Sequence, residues 1–436
     1  MPRLGYSMRH HRRKSARVSI SLVPINKGKG KTMRLWLMGL CVGWTFLGCI
    51  HGEGEETRDF QGRTNSVTAS RPVHEVKPMA QWIEHLESDD PQVRDEAVAL
   101  LARMGPSAIP GLIAALEHDD SYVRYVAVYA LRDLGVQARS ATNSLSERLY
   151  HDDRAVIRRG AAEALAHIGG DAEQVLCQAL QCDDHEVCAA TADALGKLQQ
   201  PTQSVVASLA ETLHTRDARI CQAVANALAE MGSSAVAAIP ALAEASRRAD
   251  LETSARVEAI RALGKIGPET IPPLVQMLQS ENLSLAAAAC HALGTLGSAA
   301  EPAVPALRNM IHRPEAVLRL AAVESLGEIG SPAKGAVPDL IGLLHDKDRP
   351  LRFAAAQALG RMGPPAIRSL ENALRDKDGT VRDLAAYALG EMGPDASAAR
   401  TALSDALADE HDAVRRRAEW ALERIGTPRS PNPATR

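Results

Sequence analysis

The sequence predicts an all-α fold, an α-solenoid of about eleven two-helix repeats, and three observations lead there. First, one phrase recurs eleven times: a small residue and Leu, then a mostly apolar residue and usually Gly, as in Ala358-Leu359-Gly360-Arg361-Met362-Gly363. Its closing position falls at Gly105, Gly135, Gly169, Gln199, Gly232, Gly267, Gly297, Gly330, Gly363, Gly393 and Gly426, a period of 30 to 35 residues. Second, the residue four places before the closing position is Leu in every repeat, from Leu101 to Leu422, and the eighth and fifth before it are nearly always Ala. With the apolar first and twelfth positions these make one stripe of an α-helix. Third, aromatic residues are 3% of the chain, which suits close packing on small side chains. Because each repeat touches only its neighbours, the repeats over residues 79–427 count as one elongated domain.

In chain order, the amino-terminal segment comes first. Residues 1–34 hold ten of the 50 basic residues and none of the 53 acidic ones, so the remainder carries a net charge of −13. Such a body repels a phosphate backbone, and no nucleic-acid partner is expected. Leu35 to Leu47 is an apolar run too short to span a bilayer, so residues 1–48 are read as a basic preface and signal sequence, with Met33 as a candidate true start. The ending Phe46-Leu47-Gly48-Cys49 resembles a bacterial lipobox, although Phe46 and Leu47 depart from the usual residues. That resemblance implies lipidation of Cys49; an uncleaved anchor or simple export signal is the alternative. Residues 49–78 are polar, with Gly52, Gly54 and acidic Glu53, Glu55 and Glu56, and are read as a flexible tether. The expected location is the bacterial cell envelope, membrane-anchored and facing the extracytoplasmic side.

Within each repeat, the stripe defines the second helix. The closing Gly is expected to end it in the left-handed conformation, and Pro follows at Pro106, Pro268, Pro364 and Pro394. A first helix then starts near Pro110, Pro240, Pro272, Pro305 or Pro338, where a missing amide hydrogen costs little. Repeat length alternates mainly between 30 and 33 or 34 residues, and the extra turn is assigned to the first helix, short in Pro268–Met277 and longer in Ser331–Leu343. Residues 428–436 are read as a disordered tail. The Asp-rich turn, Val-Arg, and then Ala-x-x-Ala-Leu-Gly-x-Met-Gly-Pro resemble the HEAT-like repeats of phycobilin lyases over about four fifths of the chain. The resemblance implies a right-handed α-solenoid with outer and inner helices, a fold that serves scaffolds, lyases, hydroxylases and glycosylases alike.

Candidate sites follow the repeat. The eleventh position before the closing residue is Arg in eight repeats: Arg94, Arg124, Arg158, Arg256, Arg319, Arg352, Arg382 and Arg415. These are read as a structural ladder to acidic residues of neighbouring turns, with an anion-binding ladder as the other reading. The sixth and tenth positions vary from repeat to repeat and are read as one exposed strip along the inner helices. Its residues Tyr125, Tyr129, Arg159, Arg261, His291, Phe353, Gln357 and Tyr387 are the expected contacts for a protein or peptide, with aromatic anchors towards both ends. Trp82 and Trp420 are read as shields for the solenoid ends.

Cys188 and Cys221 replace the ladder Arg, and Cys177, Cys182 and His185 lie close by. Plain small-residue packing, a disulfide and a metal site all stay open for these thiols. His118, His151 and His345 each end a first helix just before an Asp, with His214 and His312 at similar places; imidazole there complements the helix dipole, and a metal-binding histidine ladder is the other reading. The only His-Glu pairs are His74-Glu75 and His185-Glu186, which argues against the di-iron hydroxylases built on this repeat, and no Walker loop or Gly-x-Gly-x-x-Gly turn occurs. A non-enzymatic, membrane-tethered protein-binding scaffold without cofactor or metal is therefore expected. The alternative is a phycobilin-lyase-like or other thiol-dependent enzyme.

Overall fold

The computed structural model describes residues 79–426, other than 87, 89 and 183. The preface, the signal sequence, Cys49, the tether and the tail beyond 427 lie outside the described residues. Among the described residues twenty-two α-helices follow one another, two to a repeat, so odd numbers are first helices and even numbers second helices. The second helices are α2 (Pro91–Met104), α4 (Ser121–Leu134), α6 (Ala155–Ile168), α8 (His185–Gly196), α10 (Ala218–Met231), α12 (Thr253–Ile266), α14 (Leu283–Thr295), α16 (Ala316–Ile329), α18 (Arg349–Met362), α20 (Gly379–Met392) and α22 (Asp412–Gly426). The first helices that matter below are α5 (Thr142–His151), α7 (Asp171–Ala179), α13 (Ile271–Met277), α17 (Val337–Leu343) and α19 (Ile367–Ala373).

The acidic turns start the second helices. Asp120 accepts from the Tyr122 amide at 2.8 Å, Asp184 from Glu186 at 2.8 Å, Asp217 from Arg219 at 2.8 Å and Asn282 from Ser284 at 3.0 Å. Each such cap satisfies an orphan amide and is worth about 1 kcal/mol. At the other end nine of the closing glycines, Gly105 to Gly393, have positive φ, for example 60° at Gly105 and 72° at Gly363. Their ψ values, −143° and −141°, lie outside the left-handed helical region expected from sequence. This is a region almost confined to glycine, and it turns the chain directly into a short 3₁₀ segment.

That segment corrects the reading of repeat length. Helices α13 and α17 have the same length, seven residues, and the difference lies before them, three 3₁₀ residues at Pro268–Thr270 against six at Ser331–Ala336. Ala333, with φ −79° and ψ 17° at a kink between two short turns, and Ala336 three residues on both stay buried. The insertion thus lengthens the linker by a turn and leaves the helix unchanged.

One continuous apolar cluster runs from Leu86 to Ile425. The Leu four places before the closing residue is buried in the first ten repeats and half-buried at Leu422, in the last of the described repeats. Burying each of these side chains contributes roughly 1.5–3 kcal/mol. From α4 onward, second helices pack on the second helices of neighbouring repeats far more extensively than successive first helices touch. Small residues set this spacing. A methyl group at Gly196 would lie 2.8 Å from the Ala227 Cα, one at Gly264 2.8 Å from the Ala292 Cα, and one at Gly327 2.9 Å from the Ala358 Cα. In each case the third residue before one closing position meets the fifth before the next, a register not anticipated from sequence.

Candidate recognition surface

The recurring arginine stands in the first turns of the second helix, where its guanidinium reaches back to the preceding corner. It donates to the carbonyl six residues earlier in six repeats, including Arg124 to His118 at 2.9 Å, Arg158 to Asp152 at 2.8 Å, Arg352 to Asp346 at 2.7 Å, Arg382 to Asp376 at 2.7 Å and Arg415 to Asp409 at 2.7 Å; the sixth is Arg94 to Ser88. Arg256 reaches Ser246 and Arg319 reaches Ile311, both at 3.0 Å. Several also cross to the next repeat. Arg124 binds Asp152 through two nitrogens at 2.8 and 3.2 Å, and Arg382 binds Asp409 at 2.7 and 2.9 Å; Arg319 pairs with Asp346 and Arg158 with Glu186. The Arg382 hydrogen bond holds the Asp409 carboxyl below the usual carboxylate range. These guanidinium groups are committed to carbonyls and carboxylates of the chain itself.

Where the arginine is missing, the corner is tied differently. In the fifth repeat Cys221 is buried, and Arg248 from the following corner donates to the carbonyls of Leu213 and Thr215, both at 2.9 Å. Thr215 is the residue six before Cys221, so a neighbour supplies the guanidinium. In the fourth repeat the buried Cys188 thiol itself donates to the carbonyl of Cys182 at 3.1 Å, again six residues back.

The expected strip is only partly a surface. Arg261, His291 and Phe353 are exposed, and Tyr129, Arg159 and Gln357 are half-buried. Tyr125 and Tyr387 are instead buried, 7% and 6% exposed, which corrects their assignment as contact residues. The cause is the close spacing of the second helices: a large ring lies against the rings beside it. Tyr125 and Tyr129, one turn apart on α4, have centroids 4.5 Å apart, and Arg132 lies over the Tyr129 ring at 4.6 Å. Burial pushes the Tyr129 hydroxyl up to about 12. Towards the other end Phe353, Tyr387 and Trp420 stack across three repeats, with centroids 5.1 and 5.8 Å apart. Arg417 lies 5.2 Å from the Tyr387 ring and Arg424 5.1 Å from Trp420. Such rings and cations stabilise one another by about 0.5–1.5 kcal/mol per contact. Trp420, read from sequence as an end shield, and the two cations belong to this cluster.

Charges on the same layer are paired between repeats. Glu163 accepts from Arg132 at 3.3 Å and from Lys197 at 3.1 Å, and Lys197 also binds Asp193 at 2.8 Å. The five described cysteines, Cys177, Cys182, Cys188, Cys221 and Cys290, are all thiols. Among the described residues no group of three or more His, Cys, Asp or Glu converges as a metal would require, and no helix is long and apolar enough to cross a membrane. His345 pairs with Asp376 at 3.2 Å and the His118 ring accepts from the Asp120 amide at 3.0 Å.

Comparison with known proteins adds the family. A model of HEAT repeats matches residues 79–166, 173–253, 241–325, 304–390 and 367–435, and one of the PBS lyase HEAT-like repeat matches residues 157–182. No curated protein matches. Among solved structures, the karyopherin Kap121p bound to the extreme C-terminus of the protein phosphatase Cdc14p superposes with a TM-score of 0.54 at 16% identity, covering 80% of this chain and 45% of that one. Kap95p with RanGDP gives 0.52 at 14%, covering 80% and 55%, and the Kap95:Nup1 complex 0.52 at 15%, covering 80% and 56%. The chain spans about half the length of these structures, and at such identity the likeness is one of fold. On the repeat matches, which run through the described helices from end to end, the chain belongs to the HEAT repeat family.

Proposed function

We propose that this protein is a non-enzymatic scaffold that binds a protein or peptide along its second-helix layer, and that its amino-terminal segment tethers it to a membrane in the bacterial envelope, facing the extracytoplasmic side. One observation carries the binding reading: on helices whose buried positions are nearly invariant, the exposed positions Arg261, His291 and Phe353 differ in charge, shape and polarity. A stack with uniform seam and varied surface suits recognition of an extended partner. Support from fold comes from karyopherin solenoids solved with protein or peptide partners, although those partners are theirs. The net charge of −13 beyond residue 34 speaks against nucleic acid.

A thiol-dependent enzyme activity gains little from the three buried cysteines. Burial pushes Cys188 and Cys290 up to about 12 and Cys221 up to about 11, which leaves these thiols too little thiolate for rapid catalytic turnover, while slow exchange with an adjacent sulfur stays open to them. The binding test is affinity capture by the full chain from envelope extract, compared with Arg261→Glu and Phe353→Ala. Selective loss of the same partner from both variants is expected; unchanged capture by both defeats the assigned face. For the tether, mass analysis of the mature amino-terminal peptide should begin at an acylated Cys49, and an unmodified start elsewhere removes lipidation.

A further inference from the structure

We propose that Cys182 and Cys188 form a redox-active pair that closes to an intramolecular disulfide across the corner between α7 and α8. Their sulfurs lie 3.4 Å apart in the thiol state, so little more than side-chain rotation separates them from bonding. Position gives the pair its meaning. In six other repeats a guanidinium joins the residue eleven before the closing position to the carbonyl six residues earlier. Here both of those residues are cysteine, and the Cys188 thiol already spans the same gap, donating to the Cys182 carbonyl at 3.1 Å. A thiol also reaches the Ala179 and Leu180 carbonyls only weakly, at 3.4 Å each. Whereas Arg248 restores the guanidinium contact at Cys221, the Cys182–Cys188 bond would replace it covalently.

Accessibility orders the reaction. Cys182 is half-buried and Cys188 fully buried, so Cys182 meets the oxidant first. A small disulfide such as glutathione disulfide is attacked by the Cys182 sulfur, which forms a mixed disulfide and releases one thiol. The Cys188 sulfur then attacks the Cys182 sulfur, the bond to the small molecule breaks, and the second thiol leaves carrying the Cys188 proton. Two protein thiols are oxidised and one small disulfide is reduced to two thiols.

The test uses the full chain, first reduced and then equilibrated natively with glutathione disulfide before alkylation and peptide mapping. We expect the number of alkylatable thiols to fall by two and a linked peptide to join Cys182 to Cys188. Cys188→Ser should instead retain glutathione on Cys182, while Cys182→Ser, a change in the half-buried corner, should leave Cys188 unmodified. A thiol count that does not fall, a link to Cys177 in place of Cys188, or a link formed only after denaturation overturns the proposal.

Discussion

Gly327→Ala tests the close second-helix spacing at one atom. The added methyl would stand 2.9 Å from the Ala358 Cα and 3.0 Å from its Cβ, well inside the separation that real methyl groups keep. Backbone cannot rotate away as a long side chain can, so α16 and α18 must part over the buried Leu326 and Leu359. Alanine gains about 1 kcal/mol in helix propensity, while overpacking a core costs about 1–3 kcal/mol. Because the obstacle is backbone we take the upper half of that range, and the net is a loss of about 1–2 kcal/mol. Gly342, exposed on α17 of the next repeat, has nothing within 4 Å of the same methyl. Gly342→Ala should therefore stabilise by about 0.5–1 kcal/mol. Hydrogen exchange resolved to peptides of α16 to α18 is the assay, since repeat arrays need not unfold in one step. If both substitutions shift protection in the same direction, the spacing argument is wrong.

Other changes follow from single contacts. Asp409→Asn removes the charge opposite Arg382 and should cost about 1–2 kcal/mol at neutral pH by denaturant melting. The Asp409 carboxyl is depressed in the folded state by its hydrogen bond from Arg382, so its contribution is full above the unfolded value near 4 and is lost as pH falls through the folded one; the gap between wild type and variant should close in that acid window. Tyr387→Ala empties a site between the Phe353 and Trp420 rings, and a stability loss of about 3 kcal/mol is expected; Phe353→Ala, at an exposed position, should lower partner affinity with a much smaller loss. Thr191 buries a hydroxyl without a hydrogen-bond partner where most repeats carry Ala. Thr191→Ala should leave thermal stability unchanged or raise it by up to about 1 kcal/mol.

Much of the architecture was legible because it rests on local periodicity. The Leu and Ala stripe, the positive φ at the closing glycines and the proline at first-helix starts each depend on residues within one turn. What escaped depends on distances between repeats. Tyr125 and Tyr387 stand at positions that carry exposed residues elsewhere, and only the helix spacing set by Gly and Ala encloses their rings. The extra turn was visible as length, yet a 3₁₀ segment with Ala at every third position reads much like a helix start. Gly196, Gly264 and Gly327 recur in the sequence at the third position before the closing residue, a signal that could have revealed the contact with Ala five before the next. Arg248 was hidden because it compensates for Cys221 from a different repeat.

The proposed recognition belongs to the second-helix layer. Photo-reactive residues placed singly at Arg261, His291 and Phe353, and at Gln276 on α13 and Asn372 on α19 as exposed first-helix positions, would report which layer touches a captured partner. Cross-links at the first three and none at the last two are predicted. Cross-links confined to Gln276 and Asn372 would contradict it.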